Sequence, residues 1–474
     1  MYIYTGKQIK EADHLAGLQG MPVFTLMENA GNGLFQKIKP LLAQRDRILI
    51  LAGKGNNGGD AIVLARYLQN HHYHVDVVCP FGEPKTETAQ QHLAYFRACG
   101  YELAAFDRTK NYDWIIEGIL GVGTSLPLRE NVRKLTRWIN SIEANVISID
   151  IPTGVSSDTG EADEDAVQAG YTFSLHGFKP SAFLYPAASN YGKTAVCEIG
   201  LVHTSKWRLW TEEDVKHTFL KREANTHKGT FGTGLLVAGC DEMPGSAALA
   251  GAGALRFGIG KLSILTSKFA ASAIAPLVPE ATYLFQDIQG SYTAAAIGSG
   301  LPPDEKSEEK LRVLLKKNLP LIIDAGALQK RTYPKREAPI IITPHPGEFS
   351  RLTGLATKQI QKNRLQLASQ YAVENKVIVV LKGSFSVIAF PDGSLYVNPT
   401  GNNSLAKGGS GDTLTGMLLA GVCQYNNINA AVANTVFIHG ACADEWVRYN
   451  SSNSLTAHDL GKLIGKVCAQ IEGV

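Results

Sequence analysis

The chain has 474 residues, 45% hydrophobic and 19% charged; this is the balance of a soluble globular protein, and the length is too great for one ordinary core, so two domains are expected. Its formal net charge of +3 is too weak for a nucleic-acid or anionic-membrane footprint. Seven scattered cysteines without a C-x-x-C pair argue against a disulfide framework or cysteine zinc site, and for reduced thiols in the cytoplasm.

Thr5-Gly6-Lys7-Gln8 has capping-box spacing ahead of a helix. No basic stretch followed by an apolar one marks a signal peptide, and no apolar run reaches membrane-spanning length. Strands are expected at Arg47–Ala52, Val75–Cys79, Trp114–Glu117 and Val146–Asp150, alternating with helices at Gly59–Asn70, Thr86–Cys99 and Asn131–Ser141. Such alternation implies βαβ units on a parallel sheet, with ligands at the strand ends. The pattern changes over Gly200–Asp214, where Thr211-Glu212-Glu213-Asp214 looks like a helix start, so the domains are divided near residue 208.

The second half alternates again. Strands are expected at Thr233–Ala238, Lys261–Thr266, Ala294–Ile297, Leu321–Asp324, Pro339–Thr343 and Val377–Leu381, with a hairpin from Ser386–Phe390 to Ser394–Val397. Helices are expected at Ser246–Phe257, Gly411–Gly421, Ala430–Trp446 and Thr456–Ile471.

Gly408-Gly409-Ser410-Gly411-Asp412 opens one of these helices. Bare amides at a helix N-terminus attract phosphate, whereas an aspartate there repels it. The pairing makes chemical sense if Asp412 takes a proton from an alcohol that attacks phosphorus. Lys382-Gly383-Ser384-Phe385-Ser386 ends a strand with donors suited to a nucleotide, and Thr343-Pro344-His345-Pro346-Gly347-Glu348 fixes a histidine between prolines. Gly298-Ser299-Gly300 follows another strand.

Together with His227-Lys228-Gly229, Met243-Pro244-Gly245 and His439-Gly440 through Asp444, these motifs make residues 225–472 resemble the ADP/ATP-dependent NAD(P)H-hydrate dehydratases, which have a ribokinase-like fold. The resemblance implies phosphorylation of the 6-hydroxyl of the S hydrate and phosphate elimination, with Asp412 as base and Gly411 beside the phosphoryl group. It further implies Lys382, Gly383, Ser384, Phe385 and Ser386 at the nucleotide, and Ala254, Gly300 and His345 with Asp412 around the hydrate. ADP is the implied co-substrate, with Mg²⁺ bridging its phosphates. Asp324-Ala325-Gly326 departs from the family's Asp-Ala-Asp, and Gly298-Ser299-Gly300-Leu301-Pro302 from its Gly-Pro-Gly-Leu-Gly loop.

In the first half, Gly53-Lys54-Gly55-Asn56-Asn57-Gly58-Gly59-Asp60 follows a strand and opens a helix without a Walker Lys-Ser/Thr pair. Asn57, Glu117 and Thr153 bring oxygen ligands to three neighbouring strand ends, which suits a hard cation such as K⁺. Asp150 is a proton-transfer candidate where its pocket raises its pKa. Leu26-Met27-Glu28-Asn29-Ala30-Gly31, Asn56–Asp60 and Asp150-Ile151-Pro152-Thr153-Gly154 make residues 1–205 resemble the NAD(P)H-hydrate epimerases. The resemblance implies that Asn56, Asn57, Gly58, Gly59 and Asp60 bind the dinucleotide together with Gly121, Val122, Gly123, Thr124, Ser125, Leu126 and Pro127. It also implies catalysis by Asp150 and K⁺ on Asn57, Glu117 and Thr153, though Glu117 and Thr153 stand where the family has Asp and Ser.

The expected fold class is α/β, two three-layer α/β/α domains: a Rossmann-like epimerase domain at 1–207 and a ribokinase-like dehydratase domain at 208–474. Expected partners are hydrated NADH or NADPH and ADP, with no nucleic acid and no membrane; a homo-oligomer is the expected assembly. The competing reading is a ribokinase-like kinase of a vitamin or sugar alcohol with a regulatory N-terminal module.

Overall fold

The computed structural model describes residues 1–474 and divides into two compact units, Met1–Trp207 with Gln361–Asn363, and Arg208–Ile360 with Arg364–Val474. No helix is long and apolar enough to cross a membrane.

The first unit carries strands β1 (Arg47–Ala52), β2 (His74–Val78), β3 (Trp114–Gly118), β4 (Asn145–Ile149), β5 (Tyr171–Leu175) and β6 (Lys193–Cys197). They form one parallel sheet in the order β2-β1-β3-β4-β5-β6. Its helices are α1 (Gly6–Leu18), α2 (Val23–Ile38), α3 (Asn56–Asn70), α4 (Glu87–Ala98) and α5 (Glu130–Ser141). The two-residue period of β1 sorts its side chains to two faces. Ile48, Ile50 and Ala52 pack with Phe35 of α2 and Ile62 of α3, whereas Leu49 and Leu51 pack with Leu135 and Ile139 of α5. A sheet apolar on both faces needs helices on both, and three layers result. The strand order reverses between β1 and β3, which opens a crevice at the end of β1.

α3 begins at Asn56, three residues before the expected start, so the Asn-Asn-Gly-Gly segment is the helix's first turn and not a loop ahead of it. Glycines usually break helices, but here contact demands them: a Cβ on Gly58 would collide with the carbonyl of Gly53, and one on Gly59 would lie 2.5 Å from Met27 Sδ.

The second unit has strands β7 (Trp207–Leu209, its first residue the last of the first unit), β8 (Thr233–Val237), β9 (Lys261–Leu265), β10 (Thr282–Leu284), β11 (Ala294–Ile297), β12 (Leu321–Ile323), β13 (Ile340–Ile342), β14 (Ile378–Leu381), β15 (Val387–Ala389) and β16 (Leu395–Val397). The sheet order is β10-β9-β8-β11-β12-β13-β14-β15-β16-β7; pairing is parallel from β10 to β14, then antiparallel through β15 and β16. Its helices are α6 (Glu212–Thr218), α7 (Pro244–Arg256), α8 (Lys268–Ile274), α9 (Glu305–Lys316), α10 (Pro346–Thr353), α11 (Thr357–Lys362), α12 (Arg364–Asn375), α13 (Ser410–Gln424), α14 (Ile428–Val447) and α15 (Ala457–Glu472).

Leu236, Ala296, Ile322 and Ile341 share a core with α7, α13, α14 and α15, while the intervening Leu235, Ala295 and Ile323 are equally buried on the opposite face. α7 and α13 pass backbone to backbone. A Cβ on Gly416 would collide with the Ala250 carbonyl, and one on Gly253 would lie 2.6 Å from that of Thr413. α13 also packs on β8, β11 and β12, and Thr415 near its start reaches Asp324 just past the end of β12.

Candidate functional site

In the second unit Gly409 adopts a left-handed conformation, φ 91°, which turns the chain into α13 and leaves its first amides open. Asp412 lies in that first turn and is half-buried. Burial pushes its carboxyl up to about 6, with the Asp324 charge adding to the shift, while hydroxyls of Ser246 and Ser299 and the Lys382 ammonium pull it back. A base titrating near neutrality at a helix N-terminus can take a proton from an alcohol.

Asp324, at the end of β12, is 1% exposed and accepts from Thr343 Oγ1 at 2.7 Å, Thr415 Oγ1 at 2.8 Å and Lys382 Nζ at 3.0 Å. Thr415 lies one turn beyond Asp412, so α13 brings both to one side. Burial disfavours the Asp324 anion, but Lys382 and the hydroxyls outweigh it and hold the carboxyl below its usual range. Lys382 responds in kind: burial acts to lower it, yet Asp324, Glu348 and Asp412 keep it above the ordinary lysine value. A Cβ on Gly411 would lie 3.4 Å from Lys382 Nζ, so a permanent cation stands beside the anion-seeking helix end.

The Lys382–Ser386 segment leaves β14 with Gly383 at φ 143° and Phe385 at φ 53°. Arg364 shapes it from beneath, 4% exposed, donating to the Leu381 carbonyl at 2.9 Å and to that of Ser384. Its position at the start of α12 gave no sequence signal.

Gly300, φ 65°, faces the first turn of α7, where a Cβ would lie 2.6 Å from that of Ser246. Ala254 is fully buried in α7, next to Gly253, where a Cβ would lie 2.6 Å from the Thr413 carbonyl. Ser246, in the first turn of α7, reaches Asp412. His345 is exposed and serves as N-cap of α10: its Nδ1 accepts from the amides of Gly347 at 3.0 Å and Glu348 at 3.3 Å. The prolines thus fix a cap, and the ring's Nε2 faces Glu348 at 3.5 Å.

In the first unit Asp150 ends β4 in a left-handed conformation, φ 68°, and is 6% exposed. Its Oδ1 accepts from the Leu175 amide at 3.0 Å and pairs with Lys179 Nζ. Lys179 is 1% exposed and also donates to the carbonyls of Leu175 and Gly177. Sequence reading missed this lysine; its one signal is a cation set between Phe178 and Pro180 in an otherwise apolar run. Asp60 is fully buried and pushed well above the carboxylate range by burial and by the charges of Asp150 and Asp13. Asn56 is exposed, and Gly121–Pro127 forms a surface turn closed by Thr124 on the Gly121 carbonyl.

Glu117 is fully buried. Four neutral donors reach it: Ser148 Oγ at 2.6 Å, Thr153 N at 2.9 Å, Thr153 Oγ1 at 2.7 Å and Ile119 N at 3.2 Å. Burial still pushes its carboxyl up to about 7. Asn57 Nδ2 donates to the carbonyls of Leu120 and Ile149, which leaves its buried Oδ1 without a hydrogen-bond partner.

Parallel strand ends, an aspartate at an anion-seeking helix terminus and a paired lysine define the second unit as a ribokinase-like phosphoryl-transfer domain. A family model described as NAD(P)H-hydrate dehydratase matches residues 234–466, and one described as YjeF-related protein N-terminus matches 23–181. The ADP-dependent (S)-NAD(P)H-hydrate dehydratase of Bacillus subtilis is 49% identical over 56% of this chain and 99% of its own length. The bifunctional NAD(P)H-hydrate repair enzyme of Moorella thermoacetica is 31% identical over 100% of this chain and 97% of its own. The crystal structure of the Bacillus subtilis ADP/ATP-dependent NAD(P)H-hydrate dehydratase, co-crystallised with ATP/Mg²⁺, aligns with TM-score 0.55 and 48% identity over 56% of this chain and 99% of that one. The chain belongs to the bifunctional NAD(P)H-hydrate repair enzyme family.

Proposed function

We propose that the chain repairs hydrated nicotinamide cofactors: residues 1–207 interconvert the R and S hydrates of NAD(P)H, and residues 208–474 dehydrate the S form with ADP. The observation that carries the second activity is Asp412, held near neutrality at the N-terminus of α13 beside Lys382. Asp412 takes the proton of the 6-hydroxyl as its oxygen attacks the terminal phosphorus of ADP, and AMP departs with the electrons of the broken P–O bond. The first amides of α13 and the Lys382 ammonium receive the charge of the transferred group. Phosphate then leaves with the electrons of its C–O bond as a proton is lost from the adjacent carbon, and the dihydropyridine is restored.

Lys382, Gly383, Ser384, Phe385, Ser386 and Gly411 hold the nucleotide; Ala254, Gly300 and His345 line the hydrate pocket with Asp412, and Ser246 stands beside that carboxylate. Mg²⁺ would be held chiefly through the nucleotide and would supply charge neutralisation there, Asp324 being engaged by Thr343, Lys382 and Thr415.

In the first unit Asp150 acts on the hydrate, with Asn56, Asn57, Gly58, Gly59, Asp60 and Gly121–Pro127 around the dinucleotide. The unpartnered Oδ1 of Asn57, beside a buried Glu117 with only neutral donors, fits K⁺ with Thr153 completing the oxygen set. Seven free cysteines accord with a cytoplasmic enzyme, and a homo-oligomer is the proposed assembly.

The kinase reading is not favoured, because a relative spanning the whole chain carries the two-activity repair name. The test is incubation of mixed R and S hydrates with ADP or ATP, following each epimer by chromatography. Consumption of both with release of phosphate is expected. A stable phosphorylated alcohol, with the hydrates untouched, would overturn it.

A further inference from the structure

A side-chain cluster in the first unit lies outside both sets of catalytic residues. His176 directly follows β5, Glu198 directly follows β6, and His203 lies in the irregular segment beyond. One ligand-type atom from each falls within 4.8 Å of the other two. His203 Nε2 is 3.1 Å from the Glu198 carboxylate, and its Nδ1 is 3.2 Å from the Tyr4 hydroxyl.

His176 is the unusual member. It is 1% exposed, yet neither ring nitrogen has a hydrogen-bond partner. Buried polar atoms left without partners are rare, and an unmet ligand is one standard cause. Its backbone is left-handed, φ 64°, a conformation that costs free energy for a residue with a Cβ.

We propose that His176, Glu198 and His203 bind one divalent transition-metal ion of the Zn²⁺ or Co²⁺ class, leaving a coordination position for water. Two imidazoles and one carboxylate suit such ions and not Mg²⁺, which favours an all-oxygen shell. The cysteine spacing that argues against a thiolate zinc site does not touch this set.

The geometry also states what binding requires. The His176 and His203 rings are stacked, with centroids 4.6 Å apart and planes 8° apart. Parallel rings cannot both aim an in-plane lone pair at one ion, so one must turn. His203 is the one that turns, because it lies outside any helix or strand and its side chain is 24% exposed. Such an ion would clamp the ends of β5 and β6, and so brace the loop that carries Lys179.

The test uses the full chain, stripped of metal and titrated with Co²⁺. Saturable visible absorption at one equivalent, displaced by Zn²⁺, is expected. Glu198→Gln and His203→Gln should each weaken binding at least about tenfold. Both residues are accessible, and an unchanged metal-free circular dichroism spectrum establishes that each variant is folded. No saturable absorption, or wild-type affinity retained in both variants, overturns the proposal.

Discussion

Lys382 Nζ stands 3.0 Å from Asp324 Oδ1, and that carboxylate is locked in turn by hydroxyls from β13's end and from α13. The pair thus ties the Lys382–Ser386 loop to the helix that bears Asp412. Asp324→Asn removes the charge and leaves Lys382 without its nearest anion. Breaking such a pair from one side costs about 3 kcal/mol. The expected result is a lower denaturant midpoint and at least a tenfold loss of ADP-dependent dehydration, with epimer exchange retained. Chemical denaturation and chromatographic assay of the same preparation check it.

The dehydration rate should rise with pH through about 6, because Asp412 must be ionised to accept a proton and its carboxyl is held near that value. Lys382 favours the Asp412 anion, so Lys382→Met should move this limb to higher pH as well as lowering the rate. A pH–rate profile with an unmoved limb would separate the two residues.

Lys179 and Asp150 form a buried pair in the first unit. Lys179→Met strands Asp150 without its counter-charge, at a cost of about 3–5 kcal/mol. Epimer exchange should be abolished, while dehydration of purified S hydrate continues. Exchange measured by chromatography, beside S-hydrate turnover, decides it.

Glu117 gives a pH dependence of opposite sign from a salt-bridged carboxylate. Its folded pKa is raised to about 7, so the folded state binds the extra proton, and stability is lost as pH climbs from about 5 to 7. K⁺ on Asn57, Glu117 and Thr153 would favour the anion and reduce that loss. Thermal midpoints across this range, in K⁺ and in tetramethylammonium, should diverge as pH rises. Identical curves would remove K⁺ from the site.

Gly416→Ala should be costly although alanine is the better helix former. The added methyl would strike the Ala250 carbonyl where α7 and α13 cross. A loss of about 1–3 kcal/mol is expected from overpacking, with raised KM for ADP as α13 shifts.

What was readable from the sequence was local. The strand Arg47–Ala52 is an unbroken apolar run and was read to the residue, and the glycines around Asp412 mark a helix start by their own chemistry. β5 escaped because Thr172 and Ser174 interrupt it; both are buried and satisfied by carbonyls of Tyr191 and Asp150, which no local pattern reveals. The partners that tune each site are likewise distant in sequence: Lys382 from Asp324, Lys179 from Asp150, Arg364 from the Ser384 carbonyl.

The left-handed backbone at Asp150 narrows the replacements this position tolerates to asparagine and glycine, the residues least penalised there. Asparagine matches the aspartate in shape and still accepts from the Leu175 amide, yet it is a far poorer proton acceptor. It also leaves the buried Lys179 ammonium without its anion, so the one replacement that keeps the shape of this corner gives up the charge that holds it.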